Sequence, residues 1–316
     1  MRRPERRRTG AAGRRIGLLA LGVLALAGPT ACATNEPGGD EVVVTTNILG
    51  DVTRRIVGDQ AEVTVLMRPN ADPHSFGVSA QEAATVERAG LVVHNGLGLE
   101  EGVARHVRAA EDAGVATLAV GEEVDPLPYA SDASAGELDP HFWTDAERMG
   151  TAVELIADAV VDEVGGVDAE TVRANAESYL AEVRALDAWM AERFATIPAE
   201  RRALVTNHHV FGYLAERHDF RVVGAVVPSG TTLASPSASD LESLATAVRE
   251  NGVPAIFADS SQPDRLAQVL AEEAGVDVEV VALHSESLTD EDGGAASYLE
   301  MMRANTEAIV AALGDS

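Results

Sequence analysis

From Asp168 to Phe194 the chain runs for 27 residues without a Gly or a Pro. Within that stretch Val172, Ala176, Tyr179, Leu180, Val183, Leu186 and Met190 fall on three- and four-residue steps, which line one face of an α-helix. Pro198 closes the pattern. Such a helix is about twice the usual globular length. On either side of it the pattern changes to short β-branched runs alternating with helical spacing, the signature of parallel βαβ units. The expectation is an α/β protein of two lobes with parallel sheets, joined by one long rigid helix. The N-terminal lobe should span 41–167, the linking helix 168–198 and the C-terminal lobe 199–316.

On the N-terminal side, strands are expected at Val42–Thr46, Glu62–Met67, Leu91–His94 and Val115–Val120, with helices over Leu49–Gly58 and about Ser79–Ala89. On the C-terminal side, strands are expected at Ala203–Thr206, Arg221–Val227, Ala255–Ala258 and Val278–Leu283, and a helix over Tyr298–Leu313 closes the chain. No solenoid-length repeat is visible.

The first 31 residues differ from the rest. Residues 2–15 carry seven Arg and one Glu, and Ile16–Gly28 is apolar and uncharged. That order is a secretory signal peptide over 1–31, and 13 apolar residues are too few to span a bilayer. Cys32, the only cysteine, follows Pro29-Thr30-Ala31 and resembles a bacterial lipobox, with Pro29 standing where Leu is usual. Lipid on Cys32 would anchor the protein to the outer face of the cell membrane, with 32–40 as a polar tether. A lone cysteine excludes an internal disulfide framework and a thiolate-based zinc site.

The net charge is −27, from 24 basic and 51 acidic residues. Removing the leader leaves 17 basic against 50 acidic, a net of −33. This charge repels nucleic acid and attracts cations, and it also serves solubility.

Eight histidines occur, at 74, 94, 106, 141, 208, 209, 218 and 284. Asp72-Pro73-His74-Ser75-Phe76 and Asp139-Pro140-His141-Phe142-Trp143 repeat one tripeptide, each followed within two residues by an aromatic. Proline fixes its own φ and restricts the residue before it, so each His is presented by a stiffened loop. His208 directly follows the strand Ala203–Thr206, and Glu286 follows Val278–Leu283. In open α/β sheets, ligands bind beyond the carboxyl ends of strands. Three imidazoles and one carboxylate suit a borderline divalent cation such as Zn²⁺. His209 competes with His208 for the inward position, and His284 is an alternative to Glu286. His94, His106 and His218 read as structural. No helical His-Glu-x-x-His, nucleophile elbow, phosphate loop or dinucleotide fingerprint is present.

The two Asp-Pro-His motifs, Asn95-Gly96-Leu97-Gly98-Leu99-Glu100 between them, His208 with Phe211-Gly212-Tyr213, Pro236-Ser237 before Asp240-Leu241, Ile256-Phe257, and Tyr298 with Met301-Met302 appear in this order. Together they resemble the TroA-like (cluster A-I) solute-binding lipoproteins of zinc and manganese ABC importers, over nearly all of the mature chain. The resemblance implies a metal held in the cleft between the lobes by His74, His141, His208 and a carboxylate that is usually Asp. Counting back from Met301-Met302 places that carboxylate at Glu286. Asp259 is implied beside the site. His208 stands where manganese-type members often carry Glu, which leans toward zinc. The His-rich loop of many zinc-type members is missing: Gly121–Asp139 has no His, and its acidic composition reads as a flexible solvated loop. The implied function is an extracytoplasmic high-affinity Zn²⁺-binding component of an ABC importer, not an enzyme, acting as a monomer that hands its ion to the permease. The alternatives are a manganese or iron importer's binding protein, a surface adhesin or metal chaperone of the same fold, and a zinc metallohydrolase with a three-His site.

Overall fold

The computed structural model describes residues 39–132 and 134–314. The expectations placed on 1–31, on Cys32 and on most of the tether lie outside the described residues.

The first sheet holds β1 (Glu41–Val44), β2 (Glu62–Val65), β3 (Leu91–His94) and β4 (Ala116–Ala119), in the order β2-β1-β3-β4, with every pairing parallel. Its helices are α1 (Asn47–Val57), α2 (Ala80–Val86), α3 (Ala104–Asp112) and the single turn α4 (Val120–Glu123). Then come α5 (Ala146–Glu163) and α6 (Ala169–Phe194). The second sheet holds β5 (Ala203–Thr206), β6 (Arg221–Ala225), β7 (Ala255–Asp259) and β8 (Glu279–Leu283), again all parallel, in the order β6-β5-β7-β8. Helices α7 (Gly212–His218), α8 (Ala238–Asn251), α9 (Arg265–Ala274) and α10 (Tyr298–Leu313) complete it. Both sheets are four-stranded, as the βαβ alternation requires.

The long helix α6 forms where the pattern places it. Asp168 caps it by accepting the Thr171 N–H at 2.8 Å, which satisfies one of the free donors of the first turn. Its seven patterned residues and Phe194 are all buried. They belong to one apolar cluster that runs from Val42 and Val44 of β1 through α1, α5 and α6 to Leu204, Phe257 and α10. The two sheets therefore share a core along α6. Two smaller clusters fill their outer faces, one under α8 and α9, the other under α2 and α3.

Several elements are shorter than the sequence suggests. β1 stops at Val44 because Thr46 turns to cap α1, and β4 stops at Ala119 because Val120 opens α4. The 18-residue α5 lies antiparallel in sequence order to α6 across a tight turn, with Met149, Val153, Ile156 and Val160 buried in the shared core.

Candidate metal centre

His208 and Glu286 directly follow strands, whereas His74 and His141 sit in longer loops. His74 lies in the loop after β2, His141 before a 3-10 turn at Phe142–Thr144, His208 two residues after β5 and Glu286 three residues after β8. The two Asp-Pro-His tripeptides fold alike. Asp72 Oδ1 accepts the His74 backbone N–H at 2.9 Å, and Asp139 Oδ1 accepts that of His141 at 2.9 Å. An Asp that bonds two residues ahead, with a proline between, holds each His in one orientation.

The four side chains meet. His74, His141, His208 and Glu286 each offer a donor atom, all within 4.8 Å of one another, and none is more than 3% exposed. Glu286 Oε1 lies 3.1 Å from His208 Nε2 and 3.5 Å from His141 Nε2, and its Oε2 lies 3.7 Å from His74 Nε2. The Nε2 atoms of His74 and His141 are 3.3 Å apart. A tetrahedral ion with ligand bonds of about 2.0–2.1 Å has ligand–ligand edges of about 3.3–3.4 Å, so these spacings fit one small cation. Both ring nitrogens of His208 and both oxygens of Glu286 are buried without a hydrogen bond. Buried polar atoms are normally satisfied, and these four residues together could hold a metal ion that takes up such unpartnered atoms.

The surroundings prepare the imidazoles as ligands. Burial holds His74 down to about 4 and pushes His141 and His208 below the usual imidazole range, so all three are neutral at pH 7. Burial pushes Glu286 well above the usual carboxylate range, and the nearby Glu286 charge acts in return to raise His74. His141 Nδ1–H donates to Asp139 Oδ1 at 2.7 Å, which leaves the Nε2 lone pair facing the cluster. Burial lifts Asp139 to about 7. Asp72 Oδ2 instead accepts from Ser75 Oγ (3.0 Å), Thr232 Oγ1 (2.7 Å) and Gln262 Nε2 (3.1 Å), so it reaches the second sheet's loops. Asp259 accepts from Ser261 and from Ser285 Oγ beside Glu286.

The remaining histidines lie elsewhere. His209 turns away from the cluster and its Nε2 sits 2.6 Å from Asp132. His284 Nδ1 pairs with Ser260 Oγ at 3.0 Å and its backbone N–H donates to Asn305 Oδ1; it does not join the cluster. His218 packs on Phe194, and His106 Nε2 accepts from Arg105. His94 ends β3, where burial lowers it.

The Gly121–Asp139 segment is solvated, with most of its residues exposed, but it is not the flexible loop its composition suggests. After α4, Pro128 bridges Leu138, Tyr129 N–H donates to Glu137 O at 2.9 Å and Asp139 N–H to Leu127 O at 2.8 Å. Tyr213 OH donates to Asp139 O at 2.6 Å and accepts from Leu127 N–H at 3.0 Å. The hairpin then crosses to the second half. Tyr129 OH donates to Gly230 O at 3.2 Å, and Gly230 N–H donates to Ser134 Oγ at 3.1 Å. A side chain at 230 would overlap the Tyr129 ring, so only glycine fits. A cavity of about 480 Å³ is lined by His74 together with Leu97, Leu138 and Thr231. Sequence reasoning missed Tyr129, Thr232, Gln262 and Asn47, whose contacts here are with residues far along the chain.

A family described as ZnuA, the periplasmic zinc-uptake complex component A, matches residues 42–312. The manganese-binding lipoprotein MntA of Halalkalibacterium halodurans is 30% identical, over 94% of this chain and 95% of its own. The iron-binding protein YfeA of Yersinia pestis is 29% identical, over 90% and 91%. Among solved structures, the periplasmic zinc-binding protein TroA of Treponema pallidum superposes with a TM-score of 0.78 at 28% identity, over 88% of this chain and all of that one.

Proposed function

The chain belongs to the zinc-uptake component A family of metal ABC transporter binding proteins, and from that premise we propose that it captures Zn²⁺ outside the membrane and delivers it to the importer's permease. The observation that carries the reading is the closed, buried set of three imidazoles and one carboxylate whose donor atoms lack other partners. In this reading His74, His141, His208 and Glu286 are the four ligands.

The relatives' names divide among manganese, iron and zinc, so the ion is argued from the donors. A nitrogen-rich set binds Zn²⁺ above Fe²⁺ and Mn²⁺ in the general affinity order, and hard manganese sites favour oxygen. Three neutral imidazoles with a single carboxylate favour zinc. A bound Zn²⁺ with one ionised Glu leaves a net site charge of +1, within reach of Asp72, Asp139 and Asp259.

The same closure argues against a hydrolase. Catalytic zinc keeps three protein ligands and an open position for water; here a fourth side chain faces all three imidazoles. The reading further takes 1–31 as a signal peptide, Cys32 as a lipid anchor in line with the lipoprotein relative, residues 41–167 and 199–316 as lobes about the 168–198 linker, and the protein as a monomer. Co²⁺ loading tests the closed site. One Co²⁺ per chain should give an intense four-coordinate visible spectrum that azide leaves unchanged. A spectrum shifted by azide would reveal an exchangeable position and contradict a carrier site.

A further inference from the structure

By chain order Glu286 belongs with the second sheet, since it follows β8. Residues 285–288 of its loop are bonded mainly to the first half of the molecule, while His284 at the base of the loop bonds Ser260 and Asn305. Asn47 Nδ2 donates to Ser287 Oγ at 2.8 Å, and Leu288 N–H donates to Asn47 Oδ1 at 3.0 Å. Asn70 N–H donates to Leu288 O at 2.9 Å. On the other side of Glu286, the Trp143 indole N–H donates to Ser285 O at 2.9 Å. From residues 285–288, one bond runs back to the second sheet, from Ser285 Oγ to Asp259.

We propose that Asn47 is a positioning residue for Glu286, clamping the carboxylate's loop so that it stays in register with His74 and His141. The proposal rests on the metal-carrier reading above. Glu286 Oε1 and Oε2 make no hydrogen bond of their own, so the backbone of residues 285–288 sets where they point. Asn47 uses both ends of its amide on that backbone's flank, and its Nδ2 also reaches Arg68 O at 3.1 Å. It is nearly buried, at 8% exposure, so these bonds compete little with water.

His208 is held differently. Its loop is tied within the second sheet, by Thr206 Oγ1 to His208 O (2.7 Å), His209 N–H to Ser229 O (3.1 Å) and Val226 N–H to Thr206 O (2.9 Å). The clamp therefore ties the Glu286 loop to the half that carries His74 and His141, whereas the bonds of the His208 backbone stay beside β5 and β6.

The test is a double-mutant cycle on the full mature chain. Zn²⁺ affinity is read by competition with a chromophoric chelator, and release by the rate of metal loss to excess chelator, for wild type, Asn47→Ala, Glu286→Gln and the double variant. Ala is the better helix former, so Asn47→Ala does not weaken α1 intrinsically. Loss of an outer partner costs about 10–100-fold in metal affinity, and Asn47→Ala should fall in that range with faster release. On the Glu286→Gln background the same change should cost less than about threefold, because the group it positions is no longer an anionic ligand. An equal fold-loss on both backgrounds, or no loss on either, overturns the clamp. Should Asn47→Ala fail to fold, Ser287→Ala removes one clamp bond in the same cycle and should show a smaller loss that also vanishes with Glu286→Gln; a background-independent loss there overturns the clamp equally. The wild-type titration separates the two claims: absent zinc binding overturns the carrier reading, whereas tight wild-type binding with a background-independent Asn47 effect overturns the clamp alone.

Discussion

Replacing His74 and His141 together by Ala removes tight Zn²⁺ binding and leaves the chain folded. The two Nε2 atoms lie 3.3 Å apart on one edge of the donor set, and losing both leaves only His208 and Glu286. Removing an outer partner alone costs about 10–100-fold, so the loss of two direct donors should exceed about 10³-fold. The fold should survive because neither ring belongs to the apolar clusters that join the sheets. The Asp-Pro-His turns are closed by backbone N–H groups, which Ala retains. Chelator competition measures the affinity, and far-UV circular dichroism with thermal melting of the metal-free protein measures the fold. Nanomolar zinc binding retained by the double variant would sink the site assignment.

The second large effect is on pH. Bound zinc requires neutral imidazoles and an ionised carboxylate. The three imidazoles are held low by burial, with His74 at about 4, so near neutral pH they carry no proton to expel. Glu286 is held well above the usual carboxylate range, so its proton must leave as zinc enters. Affinity should therefore fall about tenfold for each pH unit below the raised Glu286 value, and more steeply once the pH nears about 4 and His74 also takes a proton. Glu286→Gln should bind more weakly at pH 7 and show a flatter slope, because no carboxyl proton remains to displace. Calorimetric titration in buffers of different ionisation enthalpy should count about one proton released near neutrality. Release of two or more there would show that the imidazoles are protonated in the free protein, contrary to their burial.

Those expectations rest on residues of unequal visibility in the sequence. His74 and His141 were legible because a proline motif is local: the Asp, the Pro and the His that it orients are consecutive. His208 was legible from its place after a strand, and the long helix α6 from an unbroken periodicity that its buried face explains. Glu286 was readable as a candidate from its place after a strand, and the family's order of motifs added to that, since no local motif like Asp-Pro-His marks it. His284, two residues earlier, offered the more familiar ligand type, and only the fold turns it toward Ser260 and Asn305.

What stayed hidden depends on closure of the chain over long separations. Asn47 reads as the first turn of a helix, yet its bonds are to residues 240 and 241 positions away. Thr232 and Gln262 meet Asp72 across 160 and 190 positions. No local pattern encodes such partners. The acidic 121–139 segment was misjudged for a related reason. Its composition suits solvent, but Tyr129 and Tyr213 supply hydroxyls that lock it into a hairpin against the second half.

The central claim is that this donor set selects zinc. Competitive titration of the purified mature chain with Zn²⁺ and Mn²⁺, followed by metal analysis, tests it most directly. The account predicts one zinc per chain that excess manganese does not displace. Manganese retained in preference to zinc would contradict it.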